Sequence, residues 1–283
     1  MHTLRNRILF FGAALAAGLG SLGLHRYMMS ACVDEKGLLL AGNLPGMLLW
    51  GLGIAFVLFL FFMLHRIGGD GSYADNFPPC LLSGGLMIAA GVLLLWAIPE
   101  LELAAGAPAP AVNALSQAVQ NLTASAARYL PWAAAAAMVA LGLLRGLGKR
   151  PWPILSGIVC LFYMLMLVTN YRLWSADPRL EDYAYQLLAQ VLLMLCSFHR
   201  TCCDGGVIQR KKLLATGLGA AVCSLAALSM DFQRGFFLAS GLWAAGSLCT
   251  VAVLPPDPEP EECEPDQPEE AAPEAGSAED APG

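Results

Sequence analysis

The chain has 283 residues and a formal net charge of −6, and 57% of its residues are apolar whereas only 13% are charged. A soluble domain carries about 25% charged residues, so this composition excludes an ordinary soluble globular protein. The mean hydropathy of +0.58 agrees with that exclusion. The composition therefore indicates an integral membrane protein.

Eight apolar blocks of 17 to 20 residues divide the chain between residues 1 and 254. A helix of about 20 residues crosses a hydrocarbon core of about 30 Å. None of the blocks alternates with the period of two that a membrane β-barrel requires. We therefore predict an all-α integral membrane protein with about eight transmembrane helices. The predicted spans are 8–24, 45–64, 80–98, 131–148, 153–171, 183–199, 213–230 and 235–254.

The first predicted span carries two parallel ridges of small residues. Small residues four positions apart let helix backbones approach closely. Such a ridge would seat the span within the bundle or form a homodimer contact, and the sequence leaves both open. The first ridge is Gly12, Ala16 and Gly20, and the second is Ala13, Ala17 and Ser21.

The second span ends in "FFMLHRIGGDG" and the sixth ends in "CSFHRTCCDGG", so both carry the pattern H-R-x-x-x-D-G. The pattern recurs at the same place in two successive four-span blocks. It suggests a 4+4 tandem duplication with repeats 1–150 and 151–254. Four spans return the chain to its starting side, so the copies would share one topology. The shared residues are His65, Arg66 and Asp70 in the first copy and His199, Arg200 and Asp204 in the second.

Residues 111–130, before the fourth span, have apolar side chains at 3,4 spacing with polar residues between them. This spacing predicts an amphipathic helix. The helix would lie on the outer surface of the bundle or continue into the fourth span at Pro131. Its apolar stripe would pack on the bundle or dock a partner.

The predicted spans contain no Asp, Glu or Lys, which disfavours a proton-coupled mechanism. Asn170, Gln186 and Gln190 are the most polar side chains within or near a span. Gln186 and Gln190 lie one helical turn apart. Such a pair would bridge neighbouring helices or contact a solute.

Four residues near the end of the sixth span resemble a zinc ligand set, because helical spacing lets them converge. The first copy of the motif has Gly68 and Gly69 where the second has two cysteines. What the copies share suits a helix end, with the basic residues at the headgroups and a turn at Asp-Gly. We therefore predict no metal site and no cofactor. The four candidates are Cys196, His199, Cys202 and Cys203.

Ten of the sixteen Lys and Arg residues fall on the side of the amino terminus when eight spans are assumed. This bias predicts a multi-pass protein of the bacterial plasma membrane with both termini in the cytoplasm. Residues 255–283 contain eleven acidic residues and no Lys or Arg. This Pro-, Glu- and Ala-rich segment is predicted to be a disordered cytoplasmic tail.

The chain has no H-E-x-x-H, G-x-S-x-G or Walker-type motif, so we do not expect an enzyme. The first functional hypothesis is an interaction or assembly component of the membrane, surrounded by lipids and able to recruit a protein partner through its acidic tail. The alternative is a permease for a neutral or weakly polar solute that contacts Gln186 and Gln190. Nothing in the composition indicates a nucleic-acid partner.

Overall fold

The computed structural model describes residues 2–32, 42–65, 67, 72–105, 114–174, 183–230 and 233–249. All extended regular structure in these ranges is helical, as the sequence predicts. Eight of the helices coincide with the predicted spans, and a short additional helix, α3, follows the second. The helices are α1 (His2–Ala31), α2 (Leu44–His65), α3 (Tyr73–Asn76), α4 (Leu81–Ala105), α5 (Ala114–Gly146), α6 (Pro153–Trp174), α7 (Ala184–Gly205), α8 (Arg210–Ala227) and α9 (Arg234–Cys249).

Five helical segments within the described ranges are long and apolar enough to cross a membrane. They lie in α1, α2, α4, α5 and α6. α7, α8 and α9 are not among them, although they coincide with predicted spans. The number of eight crossings therefore stays a prediction. The five segments are Leu9–Ala31, Leu44–His65, Leu81–Leu101, Arg128–Gly146 and Pro153–Tyr171.

The bundle core is formed by the helices from α4 to α9. α4 packs against α5 and α9, α6 packs between α5 and α7, and α8 contacts both α7 and α9. α9 contributes three large aromatic side chains that are fully buried, Phe236, Phe237 and Trp243. The ring centroids of Phe162 and Phe236 lie 6.0 Å apart, which connects α6 to α9. Aromatic packing therefore fills the middle of the bundle.

α4 and α5 approach each other at glycines. A Cβ atom added to Gly84 would lie 2.6 Å from the carbonyl oxygen of Gly142, and one added to Gly142 would lie 2.7 Å from the carbonyl oxygen of Gly84. Any side chain at either position would separate the two helices. This is the close packing that small residues permit between membrane helices.

The α1–α2 hairpin lies beside this core, where α1 packs against α8 and α2 packs mainly against α1. The two small-residue ridges of α1 face in different directions. Ala17 and Ser21 of the second ridge are buried. Gly12 and Ala16 of the first ridge are exposed, whereas Gly20 faces Leu52 of α2. Each ridge therefore has a different environment.

Two sequence-level expectations concern connections between the helices. α5 runs from Ala114 through Pro131 to Gly146, so this part of the predicted amphipathic segment continues into the fourth predicted span. α7 packs along α8, whereas α2 and α4, their counterparts in the proposed first repeat, show no comparable contact in the described ranges. The 4+4 duplication stays a prediction. Arg66, Asp70 and the tail 255–283 lie outside the described residues.

Candidate functional site

The buried residues of α7 recur every three or four positions, so they share one face of the helix. Several polar side chains on this face point into the bundle. Leu193 and Cys196 lie on the same side as these polar groups. We call the polar set the α7 polar face; it consists of Gln186, Gln190, Ser197, Arg200 and Asp204.

An ion cluster occupies one end of this face. The Nη2 atom of Arg145 lies 2.7 Å from Oδ1 of Asp204, and Nε of Arg200 lies 3.3 Å from Oδ2 of the same carboxylate. All three side chains are at most 4% exposed. We call Arg145, Arg200 and Asp204 the buried ion cluster. A charge this well buried is tolerated only with a partner of opposite sign.

This arrangement differs from the sequence expectation of an exposed helix end. Arg200 and Asp204 were expected near the headgroups, where an ion pair is worth about 0–1 kcal/mol. Both are instead enclosed, because Arg145 reaches Asp204 from α5 and the segment after α2 covers the cluster. His199 is partly exposed, and its Nδ1 lies 2.8 Å from Oε1 of Gln209.

The segment containing α3 forms the cover. The hydroxyl of Tyr73 donates a hydrogen bond to Oδ1 of Asp204 over 3.1 Å. The ring centroid of Phe77 lies 4.8 Å from Cζ of Arg145 and 4.6 Å from Cζ of Arg200. Cations over an aromatic face are attracted by the ring quadrupole. Cζ of Arg145 also lies 5.3 Å from the ring centroid of Tyr73, so the cover contributes one hydrogen bond and three cation–π contacts to the cluster.

Two further arginines attach to the same region. Nε and Nη2 of Arg150 donate to the backbone carbonyl oxygen of Asp204 over 3.1 and 2.8 Å. Arg210 donates from Nη1 to Oδ1 of Asn76 over 3.3 Å. α7 ends here because Gly206 adopts a φ of 104° and caps it in the left-handed conformation. The cationic Arg150 is thus placed at the negative end of the α7 dipole.

The electrostatics of the cover follow from its surroundings. Burial and the neighbouring Asp204 carboxylate raise the pKa of Tyr73 to about 12, although Arg145 and Arg200 oppose the shift. The phenol therefore stays protonated and acts as a hydrogen-bond donor at neutral pH. Asp204 of α7 thus contacts Arg145 of α5 and Tyr73 of α3, so the buried ion cluster connects these three helices.

The other end of the α7 polar face has no charges. Gln186 and Gln190 are fully buried, and neither amide has a hydrogen-bond partner among the described residues. Asn170 and Gln233 form a reciprocal amide pair, with Nδ2 to Oε1 at 3.0 Å and Nε2 to Oδ1 at 3.3 Å. The structure thus pairs Asn170 with Gln233, which the sequence analysis had not singled out, and the amides of Gln186 and Gln190 take no part in this pair.

The metal-ligand candidates have other contacts. Cys196 is buried, and its Sγ would lie 3.2 Å from a Cβ added to Gly217 of α8. Sγ of Cys203 accepts a hydrogen bond from the backbone N–H of Gln209 over 3.4 Å. Across the described ranges no three or more His, Cys, Asp or Glu residues are grouped to hold a metal ion.

An apolar cavity of about 190 Å³ lies between α1, α8 and α9. Its lining includes Phe11, Leu225 and Leu242 and contains no charged residue. It is separate from the α7 polar face and offers only dispersion contacts to an occupant.

No protein-family model, curated protein or solved structure matches the chain. A functional proposal must therefore come from the contacts of the described residues.

Sequence reasoning missed the cover and the partner of Asp204. One signal was present: Arg145 is the only charged residue within the eight predicted apolar blocks. A charge within an apolar helix requires a partner, and Asp204 is the carboxylate that it finds. Tyr73 and Phe77 lie in a short connecting segment, where no helical periodicity indicates burial.

Proposed function

We propose that the protein is a non-catalytic interaction or assembly component of a cell membrane, and that its α1–α2 hairpin binds other membrane helices. The supporting observation is the environment of α2. Only 11% of its most apolar window is buried, compared with 44% for the span in α4. α2 therefore leaves most of its surface available to lipid or to another protein.

The chemistry of this surface suits helix packing. On α2, Trp50 and Phe61 are 75% and 72% exposed. On α1, a Cβ atom added to Gly12 or to Gly23 would meet no atom within 4 Å. Small residues let a second helix approach, and large aromatic side chains supply contact area. The proposed partner is a second copy of this chain, which would form a homodimer.

The proposal includes eight crossings with both termini in the cytoplasm of a bacterial cell. In this arrangement α7, α8 and α9 cross within the group formed by α4, α5 and α6, and the ion cluster lies at the cytoplasmic side. The acidic tail would then offer a second binding element, for a basic protein. Lys and Arg asymmetry supports this orientation.

Energy transfer between two fluorescently labelled populations in sparse proteoliposomes tests the homodimer. The double variant Gly12→Leu with Ala16→Leu places bulk on the exposed ridge and should abolish the signal. Gly85→Leu on α4 is the matched control, because a Cβ there also meets no atom within 4 Å. Transfer no greater than that of random mixing in the unchanged protein, or an equal loss in the control, would contradict the homodimer.

The second candidate is a permease for a neutral or weakly polar solute. The observation that favours it is the α7 polar face, which extends from Gln186 to Asp204 inside the bundle. These two residues are eighteen positions apart, which corresponds to about 27 Å along a helix and is close to the thickness of a hydrocarbon core. Stopped-flow swelling of proteoliposomes in neutral solutes would measure this activity. Permeability equal to that of empty vesicles would contradict it.

A further inference from the structure

The carboxamides of Gln186 and Gln190 are the least satisfied polar groups on the α7 polar face. Both side chains are fully buried, and the nitrogen and the oxygen of each amide have no hydrogen-bond partner among the described residues. A buried amide without partners is unfavourable, because it has lost its hydrogen bonds to water. Two such amides one turn apart point to a ligand that supplies both donors and acceptors.

Contacts between α7 and α9 place these amides within the bundle. Nε1 of Trp243 donates to Oγ of Ser197 over 3.1 Å, and Nη1 of Arg200 donates to the carbonyl oxygen of Ser247 over 3.4 Å. Residue numbers therefore increase in the same direction along both helices. Gln190 precedes Ser197 by seven residues, as Phe236 precedes Trp243, so each lies about 10 Å from the shared contact. Gln190 and Phe236 are thus at the same depth.

Aromatic residues of α6 and α9 lie at this level of the bundle. The ring centroid of Phe236 lies 6.0 Å from that of Phe162 and 6.1 Å from that of Tyr163. The hydroxyl groups of Tyr163 and Ser240 are both buried, and they lie next to each other. The neighbourhood therefore combines apolar ring faces with neutral polar groups, a composition typical of small-molecule sites.

The ligand should be neutral. Arg200 follows Gln190 by ten residues, which corresponds to about 15 Å along the helix. The carboxylate and guanidinium groups of the buried ion cluster already contact one another there. An ionised ligand beside Gln190 would lose its hydration without gaining an opposite charge.

The Asn170–Gln233 pair shows how this bundle satisfies a buried carboxamide. Each amide donates to the oxygen of the other, at 3.0 and 3.3 Å. A ligand with the same group would form equivalent bonds with a glutamine of α7. We propose that Gln186 and Gln190, with the hydroxyl of Tyr163, form a binding site for a small neutral carboxamide. This inference deepens the permease candidate, because it names the solute class.

Saturable binding of radiolabelled acetamide to the purified full-length protein in nanodiscs tests the site. The unchanged protein should bind acetamide, and an excess of unlabelled acetamide should displace it, whereas acetate and glycerol at the same concentration should not. Gln186→Leu with Gln190→Leu should weaken binding at least tenfold. Gln209→Leu is the matched control, because it removes an amide that is partnered by His199 at the far end of α7; its binding should be unchanged.

Two further variants keep the test decisive if the double leucine variant does not fold. Tyr163→Phe retains the ring and removes the hydroxyl, so it should weaken acetamide binding several-fold. Gln186→Asn with Gln190→Asn retains both amides and should bind more tightly than the leucine pair. No saturable binding to the unchanged protein, equal displacement by acetate or glycerol, or unchanged affinity in Tyr163→Phe would overturn the proposal.

Transport is measured separately, so the two ideas can fail independently. Acetamide binding without acetamide entry into proteoliposomes would leave the site standing and reject the permease. If acetamide entered at an unchanged rate in the double leucine variant, the proposed site would be rejected. Acetamide would then cross the bundle by a route that does not use Gln186 and Gln190.

Discussion

α2 and α7 are both 22 residues long, and the H-R-x-x-x-D-G pattern starts at the last residue of α2 and occupies the last seven residues of α7, yet the environments of the two helices are opposite. α2 is apolar on every side and lies outside the core, with His65 exposed at its end. α7 carries polar residues on one face, and that face is buried with Arg200 and Asp204. The burial of Arg200 and Asp204 therefore follows the polar face of α7, and α2 has no such face.

The physical reason for this difference is the cost of placing each helix against lipid. A helix that is apolar all round loses nothing when lipid surrounds it, so α2 needs only one protein neighbour. The polar side chains of α7 would be costly against hydrocarbon, and they reduce that cost by facing protein. The comparison predicts that changes in α7 affect stability far more than changes in α2.

Asp204→Ala should produce the largest effect. It leaves Arg145 and Arg200 buried without their carboxylate, and loss of one partner from a buried ion pair costs about 3–5 kcal/mol. Reversible denaturation of the purified protein would measure the loss. His65→Ala at the exposed end of α2 is the control, with an expected change within about 0.5 kcal/mol. Similar losses in the two variants would contradict the difference between the helices.

Truncation of a leucine on each helix sharpens the same comparison. Leu193 of α7 is fully buried, so Leu193→Ala should destabilise the protein by about 2–4 kcal/mol through lost contacts and a cavity. Leu58 of α2 is 62% exposed, and Leu58→Ala should change stability by less than about 0.5 kcal/mol. The same denaturation measurement applies. A large loss for Leu58→Ala would show that α2 packs against more than α1.

The smallest effect concerns Tyr73, which links the chain after α2 to the carboxylate of α7. Its pKa is raised from 10.0 to about 12 in the folded protein, so the neutral phenol is the form that folding favours. The stability contributed by the shift is complete below pH 10 and declines as the pH rises through 12. Ultraviolet difference titration against Tyr73→Phe should show one phenolate appearing near pH 12. Ionisation of Tyr73 near pH 10 would mean that the cover is open.

Hydropathy and periodicity predicted the positions of the helices well, because block length and apolar character depend on local sequence alone. They also placed Gln186 and Gln190 one turn apart on one helix, but they placed Arg200 and Asp204 beyond the end of that helix, which the structure extends to Gly205. They did not predict which groups would meet the α7 polar face. Arg145 and Tyr73 reach Asp204 across sequence separations of 59 and 131 residues, and such pairings depend on tertiary packing.

The position of α1 has a consequence for biosynthesis. Its buried His25 contacts Ser229, a residue 204 positions later in the chain. At about 5–20 residues per second, the ribosome needs about 10–40 s to make the intervening segment. During that interval α1, which includes the buried residues Ala17 and Ser21, lacks its contacts with α8. The first hairpin to be synthesised must therefore wait in the bilayer as an incomplete unit, and its inward ridge is then open to lipid, to a membrane chaperone or to the α8 of another nascent copy.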